Sequence, residues 1–255
     1  MARTPAFRVV PAADGVFLIR GPAVNWALIA DGDALTLVDG GYPAYADAVE
    51  ASIRAVGRRP ADVAAVLVTH GHVDHIGSLA RFAARHGAPV YAGAAEVPHV
   101  RRAFLQQVTP ARILRNAWRP RVPPWVAHLV RAGALRDCRV EAVRPLPPEG
   151  PLDVPGRPVP VPTPGHTSGH LCYHLPGRGV LVTGDALVTG HPLSRLAGPQ
   201  PLPSMFDHDR SAALASMAAL RSCAADTLLP GHGPLWRGTP EDAVTRARDR
   251  AELVW

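Results

Sequence analysis

The densest donor chemistry in the chain lies in six consecutive residues. His70-Gly71-His72-Val73-Asp74-His75 puts three imidazoles and a carboxylate side by side. Nitrogen and oxygen donors this close suit a borderline metal such as zinc. Three later segments add to them. Thr163-Pro164-Gly165-His166-Thr167-Ser168-Gly169-His170 is a tight glycine-rich loop, and Gly184-Asp185 and Gly231-His232-Gly233 each carry one further donor. Taken singly, His166 or His232 reads as a structural histidine. Taken together, His70, His72, Asp74, His75, His166, Asp185 and His232 supply seven ligands, the number two metals need when one carboxylate bridges them. Two metals about 3.5–4 Å apart can hold and activate one hydroxide between them. That is hydrolytic chemistry, and it needs no serine or cysteine nucleophile.

Such donors must be delivered by rigid elements, and short apolar runs precede most of them. Residues 64–68 read as a buried strand leading into the first histidine loop, 179–183 as a strand leading to Asp185, and 227–229 as one leading to His232. Strand ends are where open α/β architectures place ligand and catalytic groups. Residues 7–40 hold four further runs separated by Asp14-Gly15, Gly21-Pro22 and Asp31-Gly32-Asp33, the chemistry of an antiparallel meander. It ends at Asp39, which position alone makes a turn or helix cap or a group behind the ligands. Helical spacing is expected over 43–56, stopped by Gly57, and over 78–86, stopped by Gly87. A strand at 89–92 completes a strand–helix–strand unit. Residues 143–163 are proline-dense and expected to lack helix, with 158–162 an edge strand or connector. A strand at 171–175 and a helix over 209–221 follow. The last helix has Thr239 as cap and Pro240 at its first position.

Between Ala94 and Val140 the pattern changes. Phe104, Leu105, Val108, Ile113, Leu114 and Trp118 recur at helical intervals, Pro120, Pro123 and Pro124 break the chain, and a second short helix holds Trp125 to Val130 and ends near Gly133. Between Pro98 and Arg144 stand ten arginines against Asp137 and Glu141, a local net of +8, although the whole chain carries only +6 and contains no lysine. The basicity belongs to this segment. It is either a solvated helix pair or a cationic lid for an anionic substrate. Trp118 and Trp125 could serve a homodimer interface or pack on the domain.

The 255 residues, 47% hydrophobic and 19% charged, have a globular composition. No apolar run reaches the length of a membrane span. The stretch Met1-Ala2-Arg3-Thr4-Pro5 has no apolar core behind it, so no secretory signal is read there. Cys138, Cys172 and Cys223 are odd in number and share no C-x-x-C spacing, which points to free thiols in a reducing cytoplasm.

The ordered motifs T-H-G-H-x-D-H, T-P-G-H-T-x-G-H, G-D after a strand and G-H-G after a strand resemble those of the metallo-β-lactamase-fold superfamily, over most of the chain. The resemblance implies an α/β, four-layer αββα sandwich with the metals on one edge between two sheets. It implies one domain over 1–255, with the helical arginine-rich insertion, 94–142, inside it. By the family pattern His70, His72 and His166 hold the first metal, Asp74, His75 and His232 the second, and Asp185 bridges. Asp39 and His170 then stand behind the ligands, and Asp74 additionally orients the hydroxide.

Within the superfamily, true β-lactamases are exported and lack the bridging aspartate. The tRNA-processing nucleases carry an RNA-binding arm not found here. The resemblance is strongest to glyoxalase II-like and lactonase-like hydrolases. The expectation is therefore a dinuclear zinc hydrolase of a thioester, lactone or related ester, acting on an anionic small molecule. Arg101, Arg102, Arg115 and His191 are candidate substrate contacts. A mononuclear iron (Fe2+) persulfide dioxygenase is the alternative, using two histidines and one carboxylate. A phosphodiesterase or nuclease is a further one, since Trp118, Trp125, Arg119 and Arg121 could stack bases and meet phosphates. A non-catalytic metal-binding protein would not need the complete ligand set.

Overall fold

Period-two alternation along the strands sorts their side chains into separate apolar layers. The computed structural model describes residues 6–147 and 150–254. The stretch 1–5, read for a secretory signal, lies outside the described residues, as do the proline-glutamate pair 148–149 and residue 255.

Strands β1 (Arg8–Ala13), β2 (Val16–Arg20), β3 (Asn25–Asp31) and β4 (Ala34–Val38) form the expected antiparallel meander. Helix α1 (Ala46–Ala55) then crosses to β5 (Val63–Leu67), which pairs parallel with β4. A single turn, α2 (Val73–Ile76), precedes α3 (Leu79–His86) and β6 (Val90–Ala92). Helices α4 (Val97–Val100), α5 (Pro110–Arg115) and α6 (Val122–Ala132) make up the insertion before β7 (Arg144–Pro145) closes a seven-stranded sheet in chain order. The second sheet, in the order β12-β11-β10-β9-β8, is built from β8 (Val159–Pro162), β9 (Leu171–Leu175), β10 (Val180–Gly184), β11 (Thr227–Pro230) and β12 (Trp236–Arg237). Helices α7 (Arg210–Ser216) and α8 (Pro240–Asp249) belong to its half of the chain.

Leu28, Leu37 and Val66 pack outward against Val49 and Ile53 of α1 and Leu79 and Phe82 of α3. Their neighbours Ala27, Ile29, Val38 and Leu67 face the other way, onto Tyr173, Leu175, Val180, Val182 and Leu229 of the second sheet. Leu181 and Leu228 in turn face Met217, Leu220, Val244 and Ala247. Helix, sheet, sheet, helix is the αββα sandwich that the motifs imply. Among the described residues no helix is long and apolar enough to cross a membrane.

Several expectations change in detail. The helix expected over 43–56 begins as a 3-10 turn at Pro43–Tyr45, and that over 209–221 continues as 3-10 from Met217 to Ser222. The two-residue strands β7 and β12 are too short for a periodic signal. Residues 143–163 contain no helix among those described, and β8 is an edge strand despite Pro160.

The insertion departs most. Pro123 and Pro124 do not break the chain there. They sit in the first turn of α6, where backbone N–H groups lack helical partners in any case. The apolar residues from Phe104 to Trp118 do not share one helix. The chain is irregular from 103 to 109, after Arg102 takes a left-handed φ of 62°. Phe104 stacks on His99, whereas Leu114 and Trp118 are exposed. Trp125 packs on the domain, against Phe206.

Candidate metal centre

Four loops on one edge of the sandwich bring the seven donors together. β5 ends in the segment bearing His70 and His72. His72 occupies the N-cap of α2, so Asp74 and His75 lie on a helical turn and not in the loop the sequence suggests. The β8–β9 loop carries His166. Asp185 follows β10, and His232 follows β11, the parallel neighbour of β10. His70, His72 and His166 form one group whose ligand atoms lie within 4.8 Å of one another; His70, His75 and Asp185 form a second, and Asp74, His75 and His232 a third.

Every one of the five rings is held from behind. His72 Nε2 donates to the Gln106 carbonyl at 2.6 Å, and His232 Nδ1 to the Ala23 carbonyl at 2.7 Å. His75 Nδ1 donates to Asp39 at 2.8 Å and His166 Nδ1 to Asp207 at 3.2 Å. The Thr69 hydroxyl donates to Asp39, so its oxygen accepts from His70 Nδ1 at 3.0 Å. Carbonyls and carboxylates can only accept, so each of these nitrogens carries the proton. The other nitrogen of each ring is then a lone pair, and all five point inward.

What they meet there is more negative charge. Asp185 Oδ2 lies 3.3 Å from His232 Nε2, 3.6 Å from His166 Nε2 and 3.8 Å from His70 Nε2. Asp185 Oδ1 lies 3.4 Å from His75 Nε2, and Asp74 Oδ2 lies 3.4 Å from His232 Nε2. His166 Nε2 and His72 Nδ1 face each other at 3.0 Å. Two lone pairs that close repel unless a positive charge lies between them. His70 Nε2, His75 Nε2 and Asp185 Oδ1 are buried with no hydrogen-bond partner. Buried polar atoms are almost always satisfied, so this cluster of orphans fits bound cations. The protonation tendencies agree. Burial disfavours charge on His232, but Asp185 and Asp74 outweigh it and push its pKa up to about 10, so the carboxylates favour a positive charge at Nε2, whether a proton or a metal cation in its place. Burial and the neighbouring histidines hold His70 well below its ordinary value.

Asp39 does not cap a helix. Buried and with a left-handed φ of 62°, it accepts from the Thr69 amide, the Thr69 hydroxyl and His75. His170 is not among the converging donors. Its Nδ1 bonds the Thr163 hydroxyl, and its Nε2 accepts the Asp185 amide at 3.1 Å, fixing the peptide that presents Asp185. Burial lowers its pKa to about 3, so it stays neutral as an acceptor. Gly231 leaves room for the cluster, because a Cβ there would collide with Asp185 Oδ1.

Four residues that the sequence reading passed over complete the frame. Asn25 donates its amide to the Pro230 and Gly233 carbonyls and so shapes the turn that presents His232. Asp207 holds His166 and is itself held by Arg210 at 2.8 Å. Glu96 is fully buried and joins the two histidine loops, accepting from the Gly71 and Gly169 amides, the Thr167 hydroxyl and His99 Nδ1. Tyr42 lines the pocket over the donors, beside Asp74. Burial and the Asp74 charge raise its pKa well above the ordinary tyrosine value, so the phenol keeps its proton.

The four substrate-contact candidates divide. His191 lines the pocket with its ring centroid 5.0 Å from that of His232. Arg102 lines the neighbouring groove, but its guanidinium is spent on the Gly71 carbonyl and on Cys138 Sγ. Arg101 turns away, to the Glu141 and Val143 carbonyls. Arg115 is exposed on α5 and lines none of the cavities described here. Arg112 and Arg121 similarly tether the insertion, to the carbonyls of Met205 and Ser194. Much of the segment's positive charge thus serves to fasten the insertion to the sandwich. Pairing with carbonyls leaves no signature in a sequence.

Comparison with known proteins gives the same picture. A family model described as the metallo-beta-lactamase superfamily matches residues 19–232. The "Probable metallo-hydrolase YflN" of Bacillus subtilis (strain 168) is 28% identical over 210 residues, covering 78% of this chain and 75% of that protein. The "Metallo-beta-lactamase domain-containing protein 1" of Xenopus laevis is 32% identical, covering 88% of this chain and 73% of its own. A shorter likeness, 30% over 49% of this chain and 34% of the relative, is to a hydroxyacylglutathione hydrolase of Rhodobacter capsulatus. The fold is also that of a metallo-beta-lactamase family protein of Thermus thermophilus, with a TM-score of 0.66 at 24% identity, over 93% of this chain and 79% of the other. The chain belongs to the metallo-beta-lactamase superfamily of metallo-hydrolases.

Proposed function

We propose that this protein hydrolyses a thioester, lactone or related ester of an anionic small molecule, with two zinc ions as its resident cofactor. The observation that carries the reading is the convergence of five imidazole nitrogens and two carboxylates, with His70 Nε2, His75 Nε2 and Asp185 Oδ1 buried without a hydrogen-bond partner. His70, His72 and His166 would hold one ion and Asp74, His75 and His232 the other, with Asp185 facing both sets. Such a pair of ions supplies Lewis acidity and a water acidic enough to react at neutral pH. The chain's own groups do the rest. Asp39, Asp207 and the carbonyls of Ala23 and Gln106 fix the tautomers, so the donors need no reorganisation on binding. Asp74, less buried than Asp185, lines the pocket with it and is placed to accept a proton from an entering water. Tyr42, held protonated, can donate to the oxygen of a reacting carbonyl.

The hydroxyacylglutathione hydrolase likeness supports a thioester over a phosphodiester. The three free, buried cysteines suit a reducing cytoplasm. The test is a substrate panel on purified enzyme: acyl-glutathione and acyl-coenzyme A thioesters, acyl lactones, and a chromogenic phosphodiester. A thioester or lactone should exceed the phosphodiester in kcat/KM by about 100-fold or more. Preference for the phosphodiester would overturn the reading.

A further inference from the structure

The insertion leaves an apolar face that the sandwich does not cover. Of the exposed large hydrophobic residues, Phe104, Leu105, Leu114, Trp118, Val130 and Leu135 all belong to it. Leu105, Val130 and Leu135 are not scattered. With Val108, Ile113 and Val126 they line one groove of ≈ 650 Å³ between α5, α6 and the loop after α6.

This groove adjoins the metal pocket. Val73, Gln107, Val108, Leu129 and Ala134 line both. Val73 stands next to Asp74 in sequence, which sets the inner end of the groove at the reacting edge. The outer end is rimmed by Arg136, which makes no ion pair among the described residues, and by Arg139, which is occupied by Asp137.

From this shared wall and apolar lining we infer that the groove is the subsite for an extended acyl chain, whose carbonyl lies at the metal centre and whose tail runs outward beneath α6 toward Arg136. The inference rests on the hydrolase reading and narrows it to long-chain acyl esters and thioesters. An apolar channel this open, ending in water, is stabilised when a chain fills it. Burying each methylene contributes about threefold to fourfold in affinity.

The test uses a series of acyl-coenzyme A thioesters from acetyl through hexanoyl and decanoyl to tetradecanoyl. Rising chain length should raise kcat/KM by about threefold per methylene until the groove is full, mainly through KM. Ala134→Trp, which fills the shared wall, should abolish that dependence, so that the ratio of tetradecanoyl to acetyl kcat/KM falls to near one. Leu135→Asp, on the exposed rim, should weaken only the longest chains and guards against a folding defect in the first variant. Binding of the fluorescent fatty acid cis-parinarate, competed by tetradecanoate, gives a readout that needs no turnover. Parinarate binding that Ala134→Trp removes, with no hydrolysis of any thioester or lactone, would uphold the groove and overturn the hydrolase reading. Hydrolysis with no chain-length dependence and no parinarate binding would overturn the groove. So would a stable dimer in light scattering that Leu135→Asp dissociates, since the face would then belong to a second copy.

Discussion

Asp185→Asn should lower kcat/KM by about a thousandfold, ~4 kcal/mol in the barrier, without altering the far-ultraviolet circular dichroism or the cooperativity of unfolding. The substitution keeps the size of the side chain and removes only its charge. That charge is the common neighbour of four rings: His70, His75, His166 and His232 all place a nitrogen within 3.8 Å of one of its oxygens. Without it, the two halves of the donor set lose the group that faces both. The frame should survive, because the Asp185 amide is fixed separately by His170 and the chain around it by the β10–β11 pairing. Turnover within tenfold of wild type would mean that Asp185 is not where the two halves meet. His72→Ala should act similarly on turnover, and it leaves the Gln106 carbonyl without its donor.

A second large effect is expected at a residue that offers no donor to the cluster but braces the loops that do. Glu96→Ala should destabilise the protein by about 3–5 kcal/mol, because it strands four buried donors at once. For a chain of this size that corresponds to a fall in melting temperature on the order of 10 °C. The pH dependence identifies the cause. Burial alone would raise the Glu96 pKa, but the hydrogen bond and charge of His99, with the Gly71 amide and the Thr167 hydroxyl, outweigh it and hold the pKa at about 2, against 4.5 for a free glutamate. A folded-state pKa below the unfolded value gives stabilisation that is fully present above pH 4.5 and is lost as pH falls toward 2. That linkage is worth about 3 kcal/mol. The stability gap between wild type and Glu96→Gln, measured by urea denaturation, should therefore be widest above about pH 5 and shrink steadily below it. A gap that does not change with pH would assign the loss to packing instead.

The convergence of the seven donors was legible because they are side chains with a recognisable type, standing near the ends of strands whose apolar runs are equally recognisable. The layers followed from the same runs: Ala27, Leu28 and Ile29 alternate between two cores as a period of two requires. The groups behind the ligands were hidden for a physical reason. The partners of His72 and His232 are backbone carbonyls, which every residue possesses, and Glu96 and Asp207 are lone carboxylates with no spacing to mark them. Asp39 was ambiguous because a carboxylate after a strand serves equally as a cap. Within the insertion, spacing misled for a different reason. Val108 and Ile113 line a groove while Leu114 and Trp118 reach solvent, so one periodic pattern served two environments. Its arginines suggested an anion site, yet Arg101, Arg102, Arg112 and Arg121 bind carbonyls. Charge counted along a sequence does not show which charges are already satisfied.

Elemental analysis of protein purified without added metal tests most directly whether two divalent ions belong in the cluster of inward-facing lone pairs. About two zinc ions per chain are expected, with less in Asp185→Asn. One iron per chain with little zinc would contradict the proposed centre, as would protein that binds no metal and gains no thermal stability when zinc is added.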